Sequence, residues 1–189
     1  MRILVTGGAG YIGSHYVQYE QGQGNDVFVL DNLIYGHKEA VAGVPLFVGN
    51  VGNAELLRTI FTENSIDAVV HFAAYASVGE SVSYPDRYFH NNVVETLTLL
   101  DTMRECGVNY IVFSSSCATY GNPVTVPMDE THPQKPVNPY GESKLFCEHM
   151  MKAYDVAYGL RFTALRYFNA AGADPEGKIG ESHDPETHI

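Results

Sequence analysis

Tyr140 and Lys144 are the residues whose types and spacing most directly suggest chemistry. Two side chains four positions apart on a helix lie on one face, one turn from each other. A lysine ammonium at that distance favours the phenolate, so we expect it to lower the pKa of Tyr140 from its usual value of about 10. A tyrosine with a lowered pKa can act as a base near neutral pH, for example on an alcohol that is being oxidised.

The position of this pair favours a functional role over a chance occurrence. Tyrosine and lysine often occur together on exposed helices, and this chain contains 13 tyrosines. Here, however, Ser114, Ser115 and Ser116 end a predicted strand upstream, and ligands of parallel sheets bind at the carboxyl ends of the strands. A serine hydroxyl at that edge can hydrogen-bond a substrate oxygen. The alternative is that the serines cap a turn.

A glycine-rich segment follows the first predicted strand, and we interpret it as a dinucleotide-binding loop. Gly7, Gly10 and Gly13 have the spacing that permits a tight turn, close approach of the backbone to a diphosphate, and close packing of the next helix. That helix would direct its N-terminus at the phosphates. Asp31 follows at close to the ~20 residues typical of an acid that binds ribose hydroxyls, which favours NAD over NADP. A glycine-rich turn without a ligand is the alternative.

Apolar strands alternate with helical patterns, which predicts the α/β class: a doubly wound parallel sheet (Rossmann fold) of about six strands with helices on both faces. The predicted strands are residues 3–6, 26–31, 46–49, 68–72, 110–114 and 162–166, and the predicted helices are residues 11–20, 54–63, 88–105 and 140–158. Asn138 is expected to cap the last helix and Gly159 to end it. We assign residues 1–171 to this domain and residues 172–189 to a polar tail or the start of a missing substrate domain.

The surroundings of the remaining polar residues indicate what they do. His71 ends a strand and has no second metal-type ligand at a suitable spacing, so we interpret it as a core histidine. Asn91 and Asn92 lie in a helical stretch that disfavours asparagine, which indicates contact with a ligand or a loop. His183 and His188 are expected to be solvated, and no metal site is expected.

The net charge indicates which kinds of partner the protein is expected to bind, and the cysteines indicate its compartment. The formal net charge is -11, from 22 acidic and 11 basic residues, and such a surface repels nucleic acid and anionic lipid. We expect neither a leader peptide nor a membrane-spanning run. Cys106, Cys117 and Cys147 show no paired spacing, as expected of free thiols in a reducing cytoplasm. The sequence therefore favours a cytoplasmic protein that acts on a small molecule.

Over nearly its whole length the sequence resembles the extended short-chain dehydrogenase/reductase family, and within it the enzymes that epimerise nucleotide sugars. The resemblance runs through residues 5–15, 30–33, 71–74, 78–81, 91–93, 113–116, 140–145 and 165–169. It implies NAD-dependent inversion at C4 of a UDP-hexose, interconverting UDP-glucose and UDP-galactose through a 4-keto intermediate, as in galactose metabolism. It also implies a homodimer formed by the two long helices, residues 88–105 and 140–158.

The resemblance assigns roles to individual residues. Tyr140 would be the catalytic base, Lys144 its electrostatic partner, and Ser116 the hydroxyl that positions the sugar oxygen. The residues implied to bind NAD are Gly7, Gly10, Tyr11, Ile12, Gly13, Asp31, Asn32, Asn50, Val51, Phe72, Ala73, Ala74, Asn91, Ser114, Tyr140, Lys144 and Tyr167. The residues implied to contact the UDP-sugar are Ser116, Tyr140 and Asn169.

Three departures from the family pattern bear on these expectations. Asn50 replaces an aspartate that contacts adenine in relatives, and Ala76 replaces a lysine that contacts the cofactor. Relatives also continue well beyond residue 189, with a half that supplies much of the UDP-sugar site. One alternative is therefore an NAD-binding module with little or no turnover. Another is a different nucleotide-sugar-modifying member of the family, although Ser116-Cys117-Ala118 offers no acids for a dehydratase.

Overall fold

The computed structural model describes residues 1–183; residues 184–189, which include His188, lie outside the described part. Within it, the strands form one parallel sheet in the order β3-β2-β1-β4-β5-β6. The strands are β1 (Arg2–Thr6), β2 (Asp26–Asp31), β3 (Leu46–Val48), β4 (Ala68–His71), β5 (Tyr110–Ser116) and β6 (Arg161–Tyr167). The predicted strands are confirmed, with ends that differ by one or two residues. Because all strands run in one direction, their carboxyl ends meet at one edge.

The helices lie between successive strands, as the predicted alternation requires. They are α1 (Tyr11–Gly22), α2 (Ala54–Asn64), α3 (Val78–Ser83), α4 (Pro85–Tyr88), α5 (Glu95–Cys106) and α6 (Pro139–Tyr158). A π-helical segment, Phe89–Val94, joins α4 to α5, and short 3₁₀ turns cover Lys38–Val41 and Cys117–Thr119. Helix α6 begins and ends as predicted: the Asn138 side chain accepts a hydrogen bond from the Gly141 amide at 2.8 Å, and Gly159 has a φ of 72°.

Two apolar cores, one on each face of the sheet, confirm the doubly wound architecture. On one face the buried side chains of α2, α5 and α6 pack against the strands; they include Leu57, Leu99 and Met151. On the other face Val17 of α1 and Val41 pack against the opposite side of the same strands. Apolar burial on both faces explains why the strands are rich in valine, isoleucine and leucine.

The helix predicted for residues 88–105 is confirmed as a continuous helical stretch, but its geometry is not regular throughout. The chain forms α4, the π-helical segment and α5 in direct succession. In the π-helical segment the backbone carbonyl of Asn92 has two side-chain partners. It accepts hydrogen bonds from Thr96 Oγ1 at 2.6 Å and from Cys147 Sγ at 3.0 Å. One of these partners, Cys147, lies on α6, so the segment also makes a tertiary contact. Such π-helical turns are frequent at functional sites.

Core packing can be tested with a matched pair of valines in helices. Val17 on α1 is 1% exposed, whereas Val156 on α6 is 84% exposed. We expect Val17→Ala to lower the free energy of unfolding by about 2–3 kcal/mol, from lost apolar burial and the cavity left behind. Val156→Ala should change it by less than about 0.5 kcal/mol. Urea denaturation followed by circular dichroism measures both, and equal midpoints for the two variants would contradict this description of the core.

Candidate active site

A cleft of about 640 Å³ opens at the carboxyl edge of the sheet. Its volume lies within the roughly 300–1,000 Å³ typical of small-molecule sites. It is lined by every residue that the sequence analysis assigned to cofactor or substrate, with the exception of Asn50. Asn50 is exposed, and its side-chain oxygen accepts a hydrogen bond from Asn32 Nδ2 at 2.9 Å. The structure thus gathers the assigned residues from eight segments of the chain into one place.

The glycine-rich loop connects β1 to α1 and forms the floor of the cleft. Gly7 has a φ of +70°, and a Cβ there would meet the Ala73 amide nitrogen at 2.5 Å. A Cβ on Gly13 would meet the Gly7 carbonyl oxygen at 2.2 Å, so this glycine permits α1 to pack closely on the loop. A Cβ on Gly10 would meet only that same oxygen, at 3.4 Å. The missing side chain of Gly10 therefore leaves room in the cleft itself.

Asp31, at the end of β2, is largely buried and holds the loops beside it. Its Oδ2 accepts a hydrogen bond from the Ala9 amide at 3.0 Å, and its Oδ1 accepts one from the Leu33 amide at 2.8 Å. A carboxylate oxygen can accept more than one hydrogen bond, so Asp31 retains capacity for hydroxyl donors in the cleft. The first turn of α1 contains no acidic residue, and Tyr11, Ile12 and Gly13 of that turn line the cleft.

Tyr140 and Lys144, on the first turns of α6, face the serines at the end of β5. The buried Lys144 donates a hydrogen bond from Nζ to the Ser114 carbonyl oxygen at 2.8 Å. The same ammonium lies 4.9 Å from the centre of the Phe113 ring and 5.9 Å from the centre of the Tyr140 ring. Ser116, also buried, lines the same part of the cleft. The predicted grouping of these side chains is present.

The expected lowering of the Tyr140 pKa is wrong. Burial raises the pKa of this phenol, the Ser116 hydroxyl lowers it by less, and Cys117 adds to the increase. Removal from water disfavours the phenolate, and the Lys144 ammonium is hydrogen-bonded to Ser114 rather than to the phenol oxygen. Burial also lowers the pKa of Lys144 itself, to about 8. The sequence pattern correctly predicted that Tyr140 and Lys144 are neighbours, but it could not predict how far the fold removes both groups from water.

A buried ion pair, which the sequence analysis missed, fastens α6 to the two strands beside it. Glu148, one turn beyond Lys144, accepts hydrogen bonds from Arg166 Nε and Nη2 on β6 at 3.0 and 2.8 Å. It also accepts from Ser115 Oγ at 2.5 Å and from Gln134 Nε2 at 3.0 Å. Burial alone would raise the pKa of Glu148, but these donors together lower it. The sequence does place the Glu148 carboxylate on the same helical face as Lys144, and this position could have indicated a buried polar contact.

Asn92, in the π-helical segment, connects three elements around the cleft. Its side chain accepts a hydrogen bond from the Tyr75 amide at 2.9 Å and donates to the Tyr75 carbonyl at 3.0 Å. It also donates to Ser143 Oγ on α6 at 3.0 Å. The prediction that these asparagines contact a loop is confirmed for Asn92, while Asn91 lines the cleft.

His71 is a core histidine, as predicted. Its ring nitrogens lie 2.6 Å from Thr6 Oγ1 and 2.9 Å from Thr96 Oγ1, and burial lowers its pKa to about 3, so the ring is neutral. Within residues 1–183, no three histidine, cysteine or acidic side chains come together as metal ligands. Helices in that same part of the chain are too short or too polar to cross a membrane.

The segment after β6 returns towards the cleft. Tyr11 donates a hydrogen bond from its hydroxyl to the Gly172 carbonyl at 2.6 Å, and Glu181 and His183 line the cleft. His183 is exposed and pairs with the Glu181 carboxylate. The boundary at residue 171 stays a prediction.

Comparison with known proteins agrees with this geometry. The curated UDP-glucose 4-epimerase of Halalkalibacterium halodurans is 56% identical over 189 residues, which are 100% of this chain and 57% of that protein. The UDP-glucose 4-epimerase of Lacticaseibacillus casei is 54% identical, with 57% of its length covered. This chain therefore spans little more than half the length of these relatives.

Solved structures give the same result. The UDP-glucose 4-epimerase of Brucella ovis in complex with NAD matches 99% of this chain and 57% of its own, with a TM-score of 0.97 and 50% identity. The enzyme of Bifidobacterium longum in complex with NAD⁺ and UDP matches 96% of this chain and 57% of its own, with a TM-score of 0.92 and 39% identity. The model of the NAD dependent epimerase/dehydratase family matches residues 3–186. The chain belongs to the NAD dependent epimerase/dehydratase family.

Proposed function

We propose that this chain binds NAD and carries the base for epimerisation at C4 of a UDP-hexose, with UDP-glucose and UDP-galactose as the substrate pair. The observation that carries the proposal is that Tyr140, Lys144 and Ser116 line the same cleft as the glycine-rich loop. Relatives at 50–56% identity that are named UDP-glucose 4-epimerase support the choice of reaction. These relatives are longer than this chain. Their activity and their sugar substrates are therefore attributed to this chain only as a proposal.

The residues present fit a dinucleotide. The cleft side of Gly10 has no side chain, the N-terminal turn of α1 lines the cleft without an acidic residue, and Asp31 suits ribose hydroxyls better than a 2′-phosphate. Ala73 and Ala74 leave space beside the end of β4. When bound, NAD would accept a hydride from C4 of the sugar and return it to the other face of the ketone.

Tyr140 would take the proton of the sugar 4-hydroxyl and later return it. A buried phenol resists ionisation, so the base requires a compensating positive charge and a hydrogen-bond donor. Lys144 provides the charge, since a pKa of about 8 leaves its ammonium protonated at pH 7. Ser116 lowers the pKa of Tyr140 and would also position the sugar oxygen.

The sugar side supports a second reading, in which this chain binds NAD with negligible turnover. Of the residues implied to contact UDP-sugar, Asn169 lies beyond the end of β6 and is exposed. The chain spans 57% of the relatives' length, and the proposed UDP contacts require more than the residues described. Turnover by this chain alone is therefore expected to be negligible.

We also propose a homodimer, because apolar side chains remain exposed where the π-helical segment and α5 lie beside α6. Val94 and Leu97 are 49% and 39% exposed, and Phe146 on α6 is 50% exposed. The Phe146 ring packs against Phe89 with ring centres 6.2 Å apart. An apolar surface shared by two helices is a typical protein interface.

Isothermal titration with NAD and with UDP separately tests the two readings. We expect NAD to bind with a 1:1 ratio and UDP to bind weakly or not at all. Gly10→Val should weaken NAD binding at least tenfold by filling the cleft, whereas Gly22→Val, where a Cβ meets nothing within 4 Å, should leave it unchanged. Wild-type protein that takes up no NAD would refute the proposal, and robust sugar interconversion would refute the module reading.

Replacing the base separates chemistry from binding. We expect Tyr140→Phe to bind NAD within about twofold of wild type, since the ring stays in place. Hydride exchange between bound NAD and UDP-hexose is followed with sugar deuterated at C4, in a form of the protein that turns over. We expect the rate of this exchange to fall by at least 10²-fold in the variant. Retained exchange would remove Tyr140 from the mechanism.

The buried lysine gives a pH prediction. Its pKa of about 8 lies below the usual 10.5, so the ammonium is present below pH 8 and lost above it. The folded chain then binds fewer protons than the unfolded chain between pH 8 and 10.5, and the contribution of Lys144 to stability rises with pH in that window. The ¹³Cε shift of Lys144 should titrate near 8. A midpoint for Lys144 at the usual 10.5 would contradict the burial argument.

A further inference from the structure

Two tyrosines that the proposed function does not use meet across the mouth of the cleft. Tyr35 follows β2 and Tyr75 follows β4, and both line the cleft. Their ring centres are 5.9 Å apart with the ring planes at 83°, an edge-to-face contact. β1 lies between β2 and β4 in the sheet, so β2 and β4 are about 10 Å apart. The two rings therefore bridge the end of β1, where the glycine-rich loop begins.

The backbone on the Tyr35 side is fixed to the floor of the cleft. Leu33 has a φ of 59°, an unusual conformation for leucine, and its amide is held by Asp31. The His37 amide donates to the Ala9 carbonyl at 3.0 Å, which ties the other end of the loop to the glycine-rich segment. Tyr35 thus lies on a constrained turn, and the residue is 47% exposed.

The Tyr75 side is fixed even more firmly. Asn92 holds both its backbone amide and its carbonyl. The Arg87 guanidinium lies 5.3 Å from the centre of the Tyr75 ring and is bonded to Glu80 at 2.7 Å. Both loops are therefore anchored, and the edge-to-face contact of the two rings joins them across the cleft.

We propose that Tyr35 and Tyr75 form an aromatic strap that closes the cleft over the diphosphate of bound NAD and slows its exchange with solvent. The inference rests on the proposed function, because the diphosphate is assigned to the glycine-rich loop. A cofactor that is regenerated in every cycle gains nothing from leaving, so slow exchange suits it. An edge-to-face pair is weak enough to open without unfolding the loops that carry it.

Kinetics of NAD exchange test the strap. Protein loaded with radiolabelled NAD is chased with excess unlabelled NAD, and association is followed separately in stopped flow. For Tyr35→Ala and Tyr75→Ala we expect the association and dissociation rate constants of NAD to rise about tenfold with little change in Kd. Removing a barrier that NAD must pass in both directions changes the two rate constants equally. The double variant should match the single variants, because each already removes the shared contact. Tyr84→Ala is the matched control, since this exposed tyrosine contacts Arg87 but does not line the cleft.

The outcomes separate the proposals. Tyr35→Phe and Tyr75→Phe keep the ring contact and should exchange NAD at the wild-type rate, which covers the case in which an alanine variant misfolds. Unchanged rate constants in the alanine variants overturn the strap but leave NAD binding standing. A faster dissociation with a proportionally weaker Kd and unchanged association also overturns it, and indicates direct stacking on the cofactor. Wild-type protein that does not bind NAD overturns both proposals.

Discussion

The packing of α6 on the carboxyl end of β5 and on the π-helical segment is the constraint on which the rest of the site depends. Three side chains on successive positions of one helical face make it: Lys144 bonds to Ser114, Cys147 to Asn92, and Glu148 to Ser115. All three helical residues are buried, so a shift of the helix would leave a buried charge or polar group without a partner, at a cost of several kcal/mol. This penalty fixes Tyr140 relative to the cleft.

The parts of the molecule that depend on local chemistry could be predicted from the sequence. Apolar β-branched strands, the glycine-rich loop after β1 and the Asn138 cap of α6 each carry their signal within a few residues. The π-helical segment has no such local signal, and one partner of its Asn92 carbonyl, Cys147, lies on another helix. Glu148 was missed for the same reason: its partner Arg166 becomes adjacent only once β6 joins the sheet.

The pKa of Tyr140 shows most clearly what spacing alone leaves out. The spacing of a phenol and an ammonium one turn apart predicts that the ammonium lowers the pKa of the phenol. Removing the phenol from water raises that pKa, and the extent of this burial depends on the complete fold. Burial disfavours the phenolate of Tyr140 and the ammonium of Lys144 together.

Cofactor and sugar are held by parts of the fold that differ in order. The residues proposed for NAD lie on strand ends, on α1 or on the buried face of α6, and the loops beside them are pinned by Asp31 and Asn92. Asn169 instead lies past the end of β6, next to a Phe168 that is 60% exposed. β6 is the last strand of the described sheet, so its outer side adds no further support. The contacts proposed for NAD are thus supported by ordered elements of the sheet, whereas the contact proposed for the sugar at Asn169 lies at an exposed position beside the end of β6.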